Sequence, residues 1–209
     1  MTSSDAVKFV VAMIIMMNPL GSLSVFLQLT RKMNLLKQRE VAVSCAVAVA
    51  VIMLVTEWSG QQLLTLLGIT IPSFRFAGGI ILLLMGLSML QSKESAVSHT
   101  SEDDEAAKDR DSIAVVPLAL PLIIGPGAIS TLIIADNDFP QLINKLCMSG
   151  LSIMLALGMG VILYYAHPVA RLVGTSVIKV VTRIMGMIIM AIAVGMLAEG
   201  LVGLFPGMH

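Results

Sequence analysis

Long uncharged runs of apolar residues dominate this chain and constrain what it can fold into. Six runs approach the length of about 20 residues that a helix needs to cross a hydrocarbon core of about 30 Å. Hydrophobic residues make up 57% of the 209 residues and charged residues 12%, against roughly 25% charged residues in soluble domains. The sequence therefore predicts an all-α polytopic membrane protein with six transmembrane helices, at residues 9–30, 41–56, 72–91, 112–135, 146–166 and 180–197.

Positive charge predicts the orientation of these spans. Most of the 13 Lys and Arg residues fall in the first, third and fifth connections, whereas Lys8, Arg75 and Lys145 fall on the other side. Cytoplasmic connections carry an excess of Lys and Arg. The odd-numbered connections are therefore predicted to face the cytoplasm, which places both termini on the opposite side.

An acidic segment divides the chain. Residues 92–111 contain the stretch SEDDEAAKDRD and show no apolar periodicity, which is typical of a solvated cytoplasmic linker. We therefore predict a first three-helix repeat at residues 1–91 and a second at residues 112–209.

The two predicted repeats resemble each other in sequence. FRFAGGIILLLMG of the third span aligns with TRIMGMIIMAIAV of the sixth, so that Arg75 matches Arg183. One residue out of this register, NPLG of the first span matches GPGA of the fourth. Because each repeat has an odd number of spans, the second would be inverted relative to the first, about a pseudo-two-fold axis in the membrane plane.

Proline and glycine interrupt the first and fourth spans. Pro19 removes a helical amide donor, and Gly21 permits backbone conformations that other residues resist. Exposed backbone groups cost several kcal/mol each in lipid, so both breaks should face protein or water, where half-helix N-termini suit a carboxylate or a phosphate. The predicted substrate site near mid-depth comprises Asn18, Pro19, Gly21, Ser22, Gly125, Pro126, Gly127, Ser130 and Thr131. The alternative is that Pro and Gly only kink packed helices, with Ser and Thr bonding the freed carbonyls.

Charged residues lie near the ends of several spans. Arg75 and Arg183 either snorkel to the membrane surface or serve as a gate or counter-charge for a substrate. Four acidic residues are expected to be solvated at the surface, with a role in proton coupling as the alternative: Glu57, Asp136, Asp138 and Glu199. No acidic residue is then expected deep within a span, which argues against a buried carboxylate that relays protons.

The sequence gives little support to other kinds of chemistry. It contains no HExxH, GxSxG or phosphate-binding loop, and its three histidines lack metal-ligand spacing. We expect no enzyme activity, no cofactor and no metal site, and a net charge of zero gives no basic face for nucleic acid. The expected partners are membrane lipids, a small-molecule substrate and a coupling ion, H⁺ or Na⁺.

Five motifs resemble those of the MarC family of bacterial inner-membrane proteins: NPLG, FRFAGGIILL, VVPLALPLIIGPGAIS, TRIMG and LFPG. The resemblance covers essentially the whole chain. It implies a six-helix protein of the LysE-type transporter superfamily in the bacterial inner membrane, which would make both termini periplasmic. An archaeal relative is regarded as a transporter of small neutral amino acids. The resemblance marks six of the predicted site residues as signature positions, without assigning them ligand contacts: Asn18, Pro19, Gly21, Gly125, Pro126 and Gly127.

The expected function is that of a secondary transporter or exporter of a small polar solute such as an amino acid, with alternating access between the repeats. Two alternatives remain open at this point. One is a translocase that moves a lipid phosphate head group, which Arg75 and Arg183 would draw from either face. The other is a membrane partner or regulator that transports nothing.

Overall fold

The computed structural model describes residues 2–91 and 123–205, and the regular structure in these two ranges is helical. A chain can span a membrane only as helices or closed barrels, because its backbone N–H and C=O groups find no hydrogen-bond partners in lipid. In the described ranges the helices are α1 (Ser3–Met17), α2 (Pro19–Leu29), α3 (Leu35–Leu66), α4 (Ile71–Gln91), α5 (Pro126–Asp138), α6 (Leu142–Tyr164), α7 (Ala166–Val173) and α8 (Thr175–Leu204).

Five helical segments are long and apolar enough to cross a membrane, judged by length and composition within the described residues. They are Ser3–Leu29, Leu35–Leu66, Ile71–Leu90, Leu142–Tyr164 and Val180–Leu204. They match the first, second, third, fifth and sixth predicted spans, which confirms the all-α membrane class. Of the fourth predicted span the described part holds only α5 and the residues just before it. The predicted acidic linker at residues 92–111 lies outside the described residues.

The second span is much longer than predicted. The sequence placed its end at Thr56, before the charge of Glu57, but α3 runs on to Leu66 and has 32 residues, about 48 Å at 1.5 Å per residue. Glu57 is fully buried inside the protein and lies within α3, nine residues before its end, so its charge does not end the helix. Asn34 defines the start of α3, since its side chain accepts a hydrogen bond from the Lys37 amide at 2.8 Å.

Helices α4 and α8 form the most extensive helix pair of the described structure. Gly203 faces Pro72 and Gly186 faces Met89, so the two helices run antiparallel. At one crossing the backbones touch directly: a Cβ at Gly86 would lie 2.8 Å from the Gly186 carbonyl oxygen, and a Cβ at Gly186 would lie 3.0 Å from the Gly86 oxygen. Glycine permits this approach because it has no side chain.

A second assembly joins α3, α5 and α6. Helix α6 runs antiparallel to α3, where Gly160 packs on Ala46, and α5 packs beside α3, where Gly60 meets Ile133. Helix α1 contacts α5 and α6, and α2 contacts α6, α7 and α8. We call the end of the bundle that holds the α3–α4 and α5–α6 connections the α3–α4 end. The polar residues described next are arranged relative to it.

Candidate functional site

The first predicted break is a real interruption of the helix at Asn18. Its backbone is left-handed, with φ of 42°, and Asn18 is at once the C-cap of α1 and the N-cap of α2. Its Oδ1 accepts a hydrogen bond from the Gly21 amide at 3.3 Å. A Cβ at Gly21 would lie 2.2 Å from Asn18 Nδ2, so this cap requires glycine three residues later. Pro19 fits the first helical position because it lacks an amide hydrogen there.

The second predicted break is the start of α5. Gly125 is the N-cap of this helix in extended conformation and has no side chain with which to cap it, and Pro126 lies in the first turn. Gly125 and Gly127 are buried. A Cβ at Gly127 would lie 2.1 Å from Leu82 Cδ2, so glycine lets α5 begin directly against α4.

Both breaks lie at a similar distance from the α3–α4 end. Helix α1 begins at this end and has 15 residues, whereas α5 ends there and has 13 residues. At 1.5 Å per residue both interruptions lie about 20 Å inside it, and α1 and α5 are in contact. Two half-helix N-termini, those of α2 and α5, therefore start at comparable depth.

The hydroxyl groups near the breaks donate to backbone carbonyls. Ser22 donates to the Met17 carbonyl at 3.0 Å, and Thr131 donates to the Gly127 carbonyl at 2.9 Å. The Ser130 hydroxyl lies against Gly78 of α4, where an added Cβ would be 2.7 Å from it. In this conformation the hydroxyls of Ser22 and Thr131 satisfy backbone groups near the breaks, as the kinked-helix alternative requires, while their oxygen lone pairs remain acceptors. Their role as ligands stays a prediction.

The two arginines occupy different settings. Arg75 is largely buried and joins three helices, because it bonds to Asp138 at 3.1 and 3.3 Å and forms a second ion pair with Glu199. We call these three residues the surface cluster, since the side chains of Asp138 and Glu199 are 46% and 63% exposed. Arg183 lies on an exposed part of α8, toward the other end of the bundle.

A second polar group lies inside the bundle, where the sequence predicted none. Glu57 is fully buried and Asp136 is 1% exposed, so the expectation that both are solvated at the surface is wrong. The Glu57 carboxylate accepts a long hydrogen bond from the Ser152 hydroxyl at 3.4 Å. Its Oε1 has no hydrogen-bond partner among the described residues.

Lys145 neutralises Asp136. Its ammonium nitrogen donates to Oδ2 at 2.9 Å and lies 2.8 Å from Oδ1. The same ammonium group lies 6.0 Å from the centre of the Trp58 ring, and Trp58 donates to the Ser149 hydroxyl at 3.0 Å. We call the group at this three-helix junction the buried cluster; it comprises Glu57, Asp136, Lys145, Ser149 and Ser152.

A spacing signal for the buried cluster was present in the sequence. Lys145, Ser149 and Ser152 follow one another at intervals of four and three residues, which places them on one face of a helix. On α3, Glu57 and Gln61 share a face in the same way, and Gln61 donates to Asn137 at 3.4 Å. Two polar faces on spans that are otherwise apolar indicate a shared interior, because single polar groups avoid lipid.

The apolar groove between α3 and α6 is a separate feature. It has a volume of about 300 Å³, and its lining includes Ala46, Ala50, Ala156 and Gly160. None of the predicted site residues and none of the buried cluster lines it.

Comparison with known proteins places these features in a family. Residues 4–205 match the family described as MarC family integral membrane protein. A UPF0056 membrane protein of Buchnera aphidicola (subsp. Acyrthosiphon pisum) is 31% identical, with 97% of this chain and 94% of that protein covered. UPF0056 membrane protein YhcE of Escherichia coli is 31% identical, with 96% and 94% covered.

The similarity extends to archaea. A UPF0056 membrane protein of Methanocaldococcus jannaschii is 36% identical, with 90% of this chain and 91% of that protein covered. No solved structure matches the chain. A family match over nearly the whole chain, together with relatives of similar length, shows that the chain belongs to the MarC family of integral membrane proteins.

Proposed function

We propose that this protein is a secondary transporter of a small polar solute with an anionic group, such as an amino acid, and that it has no enzyme activity. The observation that carries the proposal is the interruption at Asn18, where a left-handed residue breaks an apolar span. Such breaks are costly in lipid unless they line a protein interior or an aqueous cavity. Broken helices with paired N-termini are the usual substrate sites of secondary transporters.

The geometry of α5 supports a shared site. Its N-terminus lacks a side-chain cap and starts at about the same depth as that of α2. The free amides and the positive dipole ends of two such helices would bind the carboxylate of an amino acid. In the proposal, the nine predicted site residues change their contacts during the transport cycle, and the hydroxyls of Ser22 and Thr131 become available to substrate.

Alternating access would require an inverted repeat of three plus three spans. The helix contacts support this arrangement, since α4 pairs with α8 and α3 pairs with α6, as third with sixth and second with fifth spans. The fourth span would be completed by residues outside the described ranges. The charge distribution supports an inner-membrane protein with both termini in the periplasm.

Arg75 would act as a gate at the α3–α4 end. It ties α4 to α5 through Asp138 and to α8 through Glu199. Separating α5 from α4 at that end would break the pair with Asp138, so substrate entry from this side would be coupled to its release, while the pair with Glu199 stays within the α4–α8 pair. Arg183 would act at the opposite end.

Uptake into liposomes tests the proposal. The purified protein is reconstituted and radiolabelled glycine is offered as the probe, followed by other neutral amino acids, with protein-free liposomes as the blank. We expect uptake by the native chain. Gly21→Ala should reduce it about fivefold, since it displaces the Asn18 cap and a lost cap costs about 1 kcal/mol. Gly158→Ala is the matched control, because a Cβ there meets nothing within 4 Å.

Each outcome of this experiment bears on a separate part of the proposal. If the native chain moves no amino acid above the blank, the transporter assignment fails. If the native chain transports and Gly21→Ala matches Gly158→Ala, the site does not lie at the break. A lipid head-group translocase would need arginines available to a phosphate, and Arg75 is engaged by two carboxylates, so this second function has less support.

A further inference from the structure

We propose that Glu57 is the proton-coupling site of this protein: its carboxyl group takes up one proton at the α3–α4 end and releases it on the other side in each transport cycle. This inference rests on the proposed transporter function. It assigns the coupling ion and the residue that carries it.

The first argument is the state of the Glu57 carboxyl group. It is fully buried, and one of its oxygens has no hydrogen-bond partner among the described residues. An ionised carboxylate is costly to bury when one of its oxygens is unpaired and the other has one long hydrogen bond, here from Ser152, and such a group normally takes a proton instead. Ionisable residues inside membrane spans are rare, and they commonly mark substrate or ion pathways and proton relays.

The second argument is the surrounding charge. Among the described residues, the charged groups that face Glu57 are Asp136 from α5 and Lys145 from α6, the two helices that pack most extensively on α3. Asp136 and Lys145 neutralise each other at 2.8 to 2.9 Å. Within the part of the chain that the structure describes, Glu57 therefore has no cation of its own, and a proton is the smallest ligand that can neutralise it.

The third argument is access. Lys145 lies in the first turn of α6, which begins at Leu142. Ser149 and Ser152 follow on the same helix face, so polar groups extend inward from Lys145 to Ser152, the hydrogen-bond partner of Glu57, over about 10 Å at 1.5 Å per residue. Serine hydroxyls both donate and accept hydrogen bonds, which suits a path for protons between the solvated end and the carboxyl group.

The chemical step is simple protonation. A proton from water at the α3–α4 end forms an O–H bond at Oε1 of Glu57, and the carboxylate loses its charge. When the helices rearrange, the same O–H bond breaks and the proton leaves to water on the other side. Charge and atoms balance with one proton carried per cycle, and no other group is oxidised, reduced or transferred.

Infrared spectroscopy of the purified protein tests the proton site independently of transport. A carboxylic acid inside the protein gives a carbonyl band that solvent-exposed carboxylates lack at neutral pH. We expect this band in the native chain, its loss in Glu57→Gln, and its retention in Glu40→Gln, an exposed acidic residue on the same helix. A spectrum without such a band, or one in which Glu57→Gln leaves it in place, overturns the inference whether or not the protein is a transporter.

Transport then tests the coupling. If one proton moves with each glycine, a gradient of one pH unit concentrates glycine about tenfold. We expect this tenfold accumulation in liposomes with the native chain or Glu40→Gln. With Glu57→Gln, glycine should still exchange across the membrane, but its concentration inside should not exceed that outside. Accumulation driven by a sodium gradient at constant pH, and lost in Glu57→Gln, would assign the site to Na⁺ and overturn the proton. If the Glu57 band is present and the native chain moves no amino acid, the proton site stands and the proposed function fails.

Discussion

The α3–α4 end of the bundle holds two charged clusters with opposite relations to water. In the surface cluster Arg75 reaches out to Asp138 and Glu199, whose carboxylates are about half exposed. In the buried cluster Asp136 and Lys145 are 1% and 15% exposed in their side chains, and Glu57 is fully buried. The charged residues are of similar type, so the difference in burial should decide what each contributes. Removing one partner of a buried ion pair strongly lowers the stability of the protein, because the other charge stays buried. Removing one partner of an exposed pair has little effect, because the remaining carboxylate is hydrated by water.

The largest expected effect comes from Lys145→Met. It leaves the charge of Asp136 buried without a partner, and removing one partner of a buried pair costs about 3–5 kcal/mol. Thermal unfolding in detergent measures the loss, and Trp58, the only tryptophan of the chain, reports it locally through its fluorescence. The double variant Lys145→Met with Asp136→Asn should recover much of the lost stability. Equal instability of the single and double variants would show that the charge of Asp136 is not the cause.

A smaller effect is expected from Arg75→Gln. The substitution removes two ion pairs, but both carboxylates can rehydrate, so the loss should be about 1 kcal/mol. The same thermal measurement applies. If Arg75→Gln lowered the free energy of unfolding as much as Lys145→Met does, the contrast between the two clusters would be wrong. The ion pairs of Arg75 would then stabilise the protein as much as a buried pair does.

The smallest effect is expected from Asp138→Asn, at no more than about 0.5 kcal/mol. Arg75 keeps its ion pair with Glu199, and Asp138 is close to half exposed. Raising the salt concentration sharpens the comparison, because exposed charges are screened over about 10 Å at moderate ionic strength and buried pairs are not. The effects of Asp138→Asn and Arg75→Gln should shrink in high salt, and that of Lys145→Met should not.

The sequence predicted features that depend on local chemistry. Pro19 and Gly21 act on their own backbone, so the interruption of the first span was predictable, and the structure has it at Asn18. The start of α5 at Gly125 followed in the same way. That the chain is a membrane protein also followed from its composition, because a chain with 12% charged residues cannot cover a surface that faces water.

The sequence did not predict features that depend on distant partners. Glu57 was taken as the end of a span because a charge usually marks the membrane surface, but its partner Ser152 is 95 residues away in the chain. Asp136 was expected in water because it comes just after the end of the fourth predicted span, and its partner Lys145 lies on another helix, nine residues further along the chain. Pairing the polar face of α6 with that of α3 requires knowing that the two helices are neighbours, which spacing within one helix does not reveal.

The crossing of Gly86 and Gly186 limits how this protein can move. Because the two backbones are in contact at this point, α4 and α8 cannot slide or rotate against each other unless they first move apart. Moving apart would break the close packing along their whole shared length. We therefore expect α4 and α8 to move together as one rigid unit. The other helices must then move relative to this unit when the protein opens to either side of the membrane. Crosslinking α4 to α8 should leave transport intact, whereas crosslinking α1 or α5 to α4 or α8 should abolish it.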